Sequence, residues 1–301
     1  MTLGRALALS ILAVLFAACS DDSGSGAGGS DTGGSDTGGT ANNGGAGGAA
    51  NTGGGGGSFG GGLPDGPSSS RLTLHPLGTV PGANMGYAEY LPPGYGDGQK
   101  RPLLVFQHGI GESGSGSELE LPRLFNTGLP PLIQNDAWPS DRPFIVLMTQ
   151  HNAPPFTSCH TLAEIEGFFA FAKAHYDVDP SRVYLTGLSC GAIGGWDYLG
   201  VHTNEDVAAA VLIAGDGRNA FAQAGCALGN VAIWAFHGDA DPTVDPQGSI
   251  QPIQSLLNCT SPAPVDTELT LYPGVGHDSW DQTYDLSAGN DIYAWLLSHH
   301  N

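Results

Sequence analysis

Basic residues are scarce in this sequence. Lys and Arg together number 9 against 29 Asp and Glu in 301 residues, which gives a net charge of -20 at pH 7. Because nucleic acid is held largely by cationic side chains, this balance excludes a nucleic-acid-binding protein. The metal-ligand spacings H-E-x-x-H and C-x-x-C are also missing, so we expect no metal site.

Long hydrophobic runs are lacking, except near the start of the chain. The run Ala6–Ala18 follows one positive charge at Arg5 and is too short to span a bilayer, so residues 1–18 are predicted to be a secretion signal. The run ends in LFAACS, which resembles a bacterial lipobox with Cys19 as the lipidated residue. Phe16 departs from the usual Leu, and an ordinary signal peptide with a chance cysteine remains the alternative. A lipid at Cys19 would anchor the chain to a membrane without spanning it.

Glycine, by contrast, is abundant, with 48 residues in the chain, and is densest toward the N-terminus. The segment 20–70 has no apolar periodicity, and SDTGG occurs twice in succession. Such a composition cannot bury enough apolar surface to fold. We therefore predict a lipidated cysteine and a disordered Gly/Ser-rich tether over residues 19–70. Residues 71–301, about 230 residues, are long enough for one well-buried domain.

Apolar, β-rich runs alternate with helical patterns in the predicted domain. Runs that are apolar on both faces are typical of strands buried between two helix layers, which predicts an α/β fold with a mostly parallel sheet and helices on both faces. Thr161 and Glu164 form a predicted capping box, and a C-terminal helix is predicted around 291–298. The six predicted strands are 103–108, 144–149, 183–187, 208–214, 231–237 and 268–272. The helix after Thr161 should bury one face made of Leu162, Ile165, Phe169, Ala172 and Tyr176.

The segment Gly187–Gly191 reads G-L-S-C-G and lies between a predicted strand and a helix-like stretch. This context is typical of a nucleophile elbow, in which the chain turns sharply around a serine and the flanking glycines permit close backbone approach. Ser189 is the predicted nucleophile. The alternative is a turn serine in a glycine-rich loop.

A serine nucleophile needs a base to accept its proton and an acid to orient that base. His277 lies in a Gly-flanked loop after the last predicted strand and is the candidate base. Asp239 and Asp241 follow a buried strand, and Asp241 is the better candidate acid because it lies further beyond the strand end. The structural alternatives are a loop histidine and a turn-forming aspartate before Pro242.

Acyl transfer also needs backbone N–H groups that stabilise the developing oxyanion. The strand that ends near His108 continues into His108–Gly111, H-G-I-G, and this predicts the N–H groups of Ile110 and Cys190 as the donors. A plain glycine turn is the alternative.

Four segments together resemble the polyhydroxybutyrate-depolymerase and feruloyl-esterase-like branch of the α/β-hydrolases, which includes proteins labelled predicted peptidases of the prolyl-oligopeptidase type. They are PLLVFQHGIGESG, RVYLTGLSCGAIGGW, WAFHGDADPTV and TLYPGVGHDSWDQTYD, and the resemblance runs from about Tyr87 to the C-terminus. It implies the α/β-hydrolase fold, hydrolysis of carboxylic esters and no metal or organic cofactor. HGxxD matches His237, Gly238 and Asp241, and the GH before a tryptophan matches His277. Cys190 is a departure, because Met or Ala commonly follows the nucleophile.

Besides Cys19 there are four cysteines, and four allow three pairings. Cys226 and Cys259 should fall at the amino-terminal edge of the sheet, whereas Cys159 and Cys190 should fall at the catalytic edge. We predict the disulfides Cys226–Cys259 and Cys159–Cys190, as in an exported protein. For the second pair, two free buried thiols are the alternative.

Several other side chains are weaker candidates. His151 is at most a pocket-lining residue, and Trp280 and Phe156 line a pocket or fill the core. His299 and His300 are predicted to be a solvated tail.

The predicted function is a secreted serine hydrolase that cleaves carboxylic esters, either acyl or feruloyl groups on polysaccharides or polyesters. The predicted location is the bacterial cell envelope, with the membrane reached only through the N-terminal lipid. One alternative is a serine peptidase of the prolyl-oligopeptidase type, although no propeller-like repeats precede the domain. Another is a non-catalytic surface-binding module on the same fold.

Overall fold

The structure is a computed structural model that describes residues 62–63, 65–203 and 206–301. The predicted secretion signal, the lipidation site Cys19 and most of the predicted tether lie outside the described residues. Leu63 and Ser68, which precede the predicted domain start at Arg71, are hydrogen-bonded to Tyr95 and to Ile133. Within the described ranges, no helix has the length and hydrophobicity needed to cross a membrane.

The centre of the domain is one eight-stranded sheet in the order β1-β2-β4-β3-β5-β6-β7-β8. β1 and β4 each pair with β2 in antiparallel fashion, and all other neighbours are parallel. The strands are β1 Leu72–His75, β2 Gly86–Tyr90, β3 Arg101–Gln107, β4 Ile145–Gln150, β5 Val178–Leu188, β6 Ala209–Ile213, β7 Ala232–Gly238 and β8 Thr267–Tyr272. This mostly parallel sheet confirms the predicted fold class.

All six predicted strands are present as β3 to β8, with ends shifted by a few residues. The sequence reasoning missed β1 and β2. β2 is fully buried although it contains Glu89, a charge that breaks the apolar run. The carboxylate of Glu89 is accommodated because it accepts a hydrogen bond from the Tyr176 hydroxyl and lies 3.2 Å from His75 Nε2.

Helices cover both faces of the sheet. The helices are α1 Pro130–Gln134, α2 Leu162–His175, α3 Cys190–Val201, α4 Arg218–Ala224, α5 Gln247–Leu257, α6 Asp281–Tyr284 and α7 Ile292–Ser298. Alternate residues of each strand enter opposite cores, so that Leu103 and Val105 pack with α2 to α5, while Leu104 and Phe106 pack with α1, α6 and α7. Each core excludes water from one side of the sheet and holds the strand ends in place.

The helix α2 begins with the predicted capping box. Thr161 Oγ1 accepts a hydrogen bond from Glu164 N, and the Glu164 carboxylate accepts one from Thr161 N. Of the predicted core face, Ile165, Phe169 and Ala172 are fully buried. The buried face is wider than predicted, because Phe168 and Phe171 are also covered.

One minor expectation is wrong. His299 does not belong to a solvated tail, because its Nε2 lies 3.1 Å from Asp266 Oδ2 and its ring packs on Trp295. The Asp266 carboxylate therefore holds His299 in place, and of the two histidines only His300 is exposed.

Candidate active site

Ser189 lies at the turn between β5 and α3. Its backbone has φ 50° and ψ -118°. Residues other than glycine rarely adopt this conformation, which costs about 1–3 kcal/mol. Glycines make this turn possible: a Cβ on Gly191 would collide with the carbonyl of Gln107, and one on Gly187 would lie 2.6 Å from the Gly191 carbonyl carbon. The segment predicted from G-x-S-x-G is thus a strained strand-to-helix elbow.

His277 follows β8 and reaches the serine. Its Nε2 accepts a hydrogen bond from Ser189 Oγ at 2.9 Å. The ring packs edge-on against Trp280 with centroids 5.0 Å apart, and Trp280 Nε1 donates to Thr127 Oγ1 at 2.7 Å. These contacts hold the imidazole, so Trp280 borders the site and also packs, partly buried, against the core.

Asp241 completes the chain of hydrogen bonds. Its Oδ2 accepts from His277 Nδ1 at 2.7 Å, and its Oδ1 accepts from Thr243 N at 2.7 Å and Val244 N at 3.1 Å. Burial alone would raise the pKa of Asp241, but the donors, led by His277, outweigh it and lower the pKa. Asp239 is exposed, points elsewhere and accepts from Gly274 N. Of the two candidate acids, the structure brings only Asp241 to the histidine.

A second imidazole shares the same carboxylate. His237 is fully buried, and its Nε2 faces both Asp241 Oδ2 and the Val244 carbonyl, each at 3.1 Å. Because both neighbours are acceptors, Nε2 carries the proton, and Nδ1 accepts from the Ser249 hydroxyl at 2.8 Å. Burial lowers the pKa of His237, which keeps the ring neutral. Sequence reasoning matched His237 to a motif without assigning this role.

The two predicted oxyanion donors lie at helix starts beside the serine. Ile110 begins a short 3-10 helix, Ile110–Glu112, and Cys190 begins α3. The first N–H groups of a helix have no acceptor within the helix and are free for a ligand. The loop reaches the elbow through Gly109, where a Cβ would lie 2.9 Å from Leu188 Cδ1 and 3.8 Å from Ser189 Cβ.

His108 orients the first of these donors. Its Nε2 accepts from the His151 backbone N–H at 2.9 Å, so its Nδ1 carries the proton and donates to the carbonyl of Gly109. In a trans peptide the C=O and N–H groups point in opposite directions, which turns the Ile110 N–H away from His108. Burial lowers the pKa of His108 to about 4, so the ring stays neutral. The sequence signal for this role is only the HG pair.

The structure contains both predicted disulfides, Cys159–Cys190 and Cys226–Cys259. Cys226 and Cys259 lie before β7 and after α5, at the amino-terminal edge of the sheet. The disulfide of Cys190 connects the nucleophile elbow to the β4–α2 loop. Cys159 and Cys190 are therefore bonded and are not free thiols.

The other candidates lie around the site. His151 is buried, and its Nδ1 lies 2.9 Å from Glu164 Oε2. Burial would raise the pKa of Glu164, but hydrogen bonds from His151 and Thr161 lower it to about 2. Phe156 is 76% exposed in the β4–α2 loop. Across the described ranges, no group of three or more His, Cys, Asp or Glu side chains is placed to hold a metal ion.

Comparisons with known proteins identify the fold. No family model and no curated protein matches the chain. Solved structures do match. A thermostable esterase has 21% identity and a TM-score of 0.55 over 77% of this chain, which spans 64% of that esterase. A feruloyl esterase module from Clostridium thermocellum, complexed with sinapinate, has 18% identity and a TM-score of 0.54, covering 77% of this chain and 88% of the module. Esterase 2 from Thermogutta terrifontis has 16% identity and a TM-score of 0.52, covering 76% and 96%. The chain therefore has the α/β-hydrolase fold.

Proposed function

We propose that this protein is a serine hydrolase that cleaves carboxylic esters through a covalent acyl-enzyme on Ser189. One observation carries the proposal. An unbroken line of hydrogen bonds runs from Ser189 Oγ to His277 Nε2 and from His277 Nδ1 to Asp241 Oδ2, at 2.9 and 2.7 Å. Nucleophile, base and orienting acid stand in the relation that acyl transfer requires.

The chemistry follows from these positions. Ser189 Oγ attacks the ester carbonyl carbon while His277 Nε2 takes its proton, and the carbonyl oxygen becomes an oxyanion facing the Ile110 and Cys190 N–H groups. The imidazolium then gives the proton to the alcohol oxygen as the C–O bond breaks, which leaves Ser189 acylated. A water molecule then attacks the acyl carbonyl carbon while His277 Nε2 takes its proton. The bond to Ser189 Oγ breaks, Ser189 receives that proton, and the carboxylic acid is released. Asp241 stabilises the imidazolium of His277 in both the acylation and the deacylation step.

The matched esterases named above support an ester substrate. Acyl or feruloyl esters of polysaccharides and polyesters are the candidate natural substrates. The reaction needs only water as a second reactant, so the proposed scheme has no cofactor.

The test is active-site labelling and a substrate panel. A fluorophosphonate probe should label the wild-type chain at Ser189 and should not label Ser189→Ala, with the modified peptide located by mass spectrometry. p-Nitrophenyl esters and methyl ferulate should be hydrolysed, whereas chromogenic peptides should not. Peptide turnover without ester turnover would replace the esterase by a peptidase, and absence of both labelling and turnover would favour a binding module.

The proposal extends to location. The segment before the described residues suits export, with lipid on Cys19 as the only attachment to a membrane and the domain displayed at the bacterial envelope. Intact-mass analysis of the chain purified from a bacterial membrane should show a diacylglyceryl group on an N-terminal Cys19. A mature chain that starts at Ser20 without lipid would refute the anchor and leave the hydrolase proposal intact.

A further inference from the structure

The two predicted oxyanion donors lie beyond the part of the sheet that relates their segments to each other. β3 and β5 are neighbours, and their last paired residues are Gln107 and Gly187. Ile110 and Cys190 each lie three residues further along the chain. An oxyanion is stabilised well only when both N–H groups lie about 2.7–3.1 Å from it, so the spacing of these two residues matters for catalysis.

The β4–α2 loop, residues 151–161, is attached to both segments. Phe156 N donates a hydrogen bond to the carbonyl of Ile110 at 3.1 Å. Cys159 is bonded through its sulfur to Cys190. The two attachment points are three residues apart, and three residues of chain span at most about 11 Å. One short piece of chain therefore connects the two residues that carry the donors.

The hydrogen bond from Phe156 complements the one made by His108. His108 Nδ1 donates to the carbonyl of Gly109, and Phe156 N donates to the carbonyl of Ile110. These two carbonyls belong to the planar peptide groups on either side of the Ile110 Cα. Both peptide planes are therefore held, and the Ile110 N–H, which lies in the first of them, is held with it.

Other contacts keep the loop itself in place. The buried ring of His151 lies with Nδ1 2.9 Å from Glu164 Oε2 in the first turn of α2 and with Nε2 2.8 Å from Ser158 Oγ. Phe156 has a φ of 63°, in the left-handed region, and a residue other than glycine keeps such a conformation only where its surroundings impose it. The segment between the two attachment points is therefore fixed and can set a distance.

We propose that residues 156–159 are an oxyanion clamp, which sets the spacing between the Ile110 and Cys190 N–H groups. In this clamp Cys159 is a positioning residue that acts through its disulfide on Cys190. The inference rests on the proposed esterase function and deepens it, because it gives the Cys159–Cys190 bond a role in turnover as well as in stability. The other disulfide, Cys226–Cys259, lies at the opposite edge of the sheet and should affect stability alone.

The experiment compares removal of each disulfide from the full chain, because the two close loops of nearly equal length. The cysteines are 31 residues apart in Cys159–Cys190 and 33 apart in Cys226–Cys259, so either loss should lower Tm by a similar amount. With p-nitrophenyl acetate, Cys159→Ala/Cys190→Ala should lower kcat about 30-fold and change KM less than about twofold. This loss is smaller than the roughly 10²–10³-fold loss expected when a whole donor is removed. The matched control, Cys226→Ala/Cys259→Ala, should change kcat less than about twofold.

A transition-state analogue separates the donors from general loosening of the fold. When an aryl trifluoromethyl ketone binds, Ser189 Oγ adds to the ketone carbon, His277 takes the proton, and the ketone oxygen becomes an anion that faces the Ile110 and Cys190 N–H groups. Its affinity should therefore fall about as much as kcat in Cys159→Ala/Cys190→Ala and should stay nearly constant in Cys226→Ala/Cys259→Ala. A loss of kcat without a matching loss of this affinity would overturn the clamp.

A second clamp variant keeps the disulfide and serves if Cys159→Ala/Cys190→Ala does not fold. One glycine inserted between the exposed Thr157 and Ser158 lengthens the clamp, and lengthening a surface loop costs little stability. It should lower kcat about tenfold with KM and Tm nearly constant. Wild-type kcat in a folded clamp variant, or an equal loss of kcat on removal of Cys226–Cys259, would overturn the clamp while the esterase stands. If the wild-type chain hydrolyses no ester, the proposed function itself fails and the clamp fails with it.

Discussion

Asp241→Asn tests the assignment of the acid most directly. The Asp241 carboxylate accepts four hydrogen bonds, two from backbone N–H groups at Oδ1 and two from imidazoles at Oδ2. An asparagine keeps one acceptor oxygen and gains a donor NH2 group. Because the Thr243 and Val244 N–H groups belong to a fixed turn, they retain the oxygen, and the NH2 group must face His277.

The consequence is the wrong tautomer. With a donor opposite Nδ1, His277 must carry its proton on Nε2, where it cannot take the proton of Ser189. In serine proteases this change lowers turnover about 10⁴-fold, and each factor of ten corresponds to about 1.4 kcal/mol. We therefore expect Asp241→Asn to raise the activation barrier by about 5 kcal/mol with little change in KM.

The assay is steady-state hydrolysis of p-nitrophenyl acetate, with thermal unfolding monitored by circular dichroism to show that the fold persists. The matched control is Asp239→Asn, an exposed aspartate two residues earlier that accepts only from Gly274 N. It should lower turnover less than tenfold. If Asp239→Asn lowers turnover about 10⁴-fold and Asp241→Asn lowers it less than tenfold, the acid has been misassigned, although Ser189 and His277 keep their roles.

Three other predictions follow from the site and its surroundings. The double variant Ser189→Ala/His277→Ala should be no less active than either single variant in ester hydrolysis, since the two residues act as one unit, and additive losses would contradict this. His108→Ala should lower kcat about 100-fold with KM nearly constant, because the Gly109 carbonyl loses the donor that orients the Ile110 N–H. Glu164→Gln should lower the free energy of unfolding by about 1–2 kcal/mol in urea titrations at pH 7, since it weakens the α2 cap. The folded-state pKa of Glu164 is depressed from 4.5 to about 2, so the difference should be full above pH 4.5 and should vanish as the pH falls through 2; a difference that persists at pH 2 would argue against it.

The parallel strands could be predicted because each is a continuous apolar run. The residues of β4, for example, are all buried and read as apolar except at the end. β1 is partly exposed and β2 contains Glu89, so neither has such a run. Glu89 can be buried in β2 because Tyr176 and His75 lie against its carboxylate, and no local pattern encodes these tertiary partners.

The candidate triad could be predicted because acyl transfer requires a serine, a histidine and a carboxylate, and each candidate follows an apolar strand, β5, β7 or β8. The orienting residues could not. His108 and His237 act through one particular ring nitrogen, and that depends on the partner that the fold brings to it, such as Ser249 from α5.

The second imidazole on Asp241 has a consequence for motion during turnover. If His277 turned away from the serine, Asp241 would still accept from His237 Nε2 and from the Thr243 and Val244 N–H groups. The carboxylate is then never left as an unpaired buried charge, whose desolvation would resist the movement. Asp241 therefore keeps hydrogen-bond donors for either orientation of the His277 ring, and rotation of that ring would not cost the burial of an unpaired carboxylate.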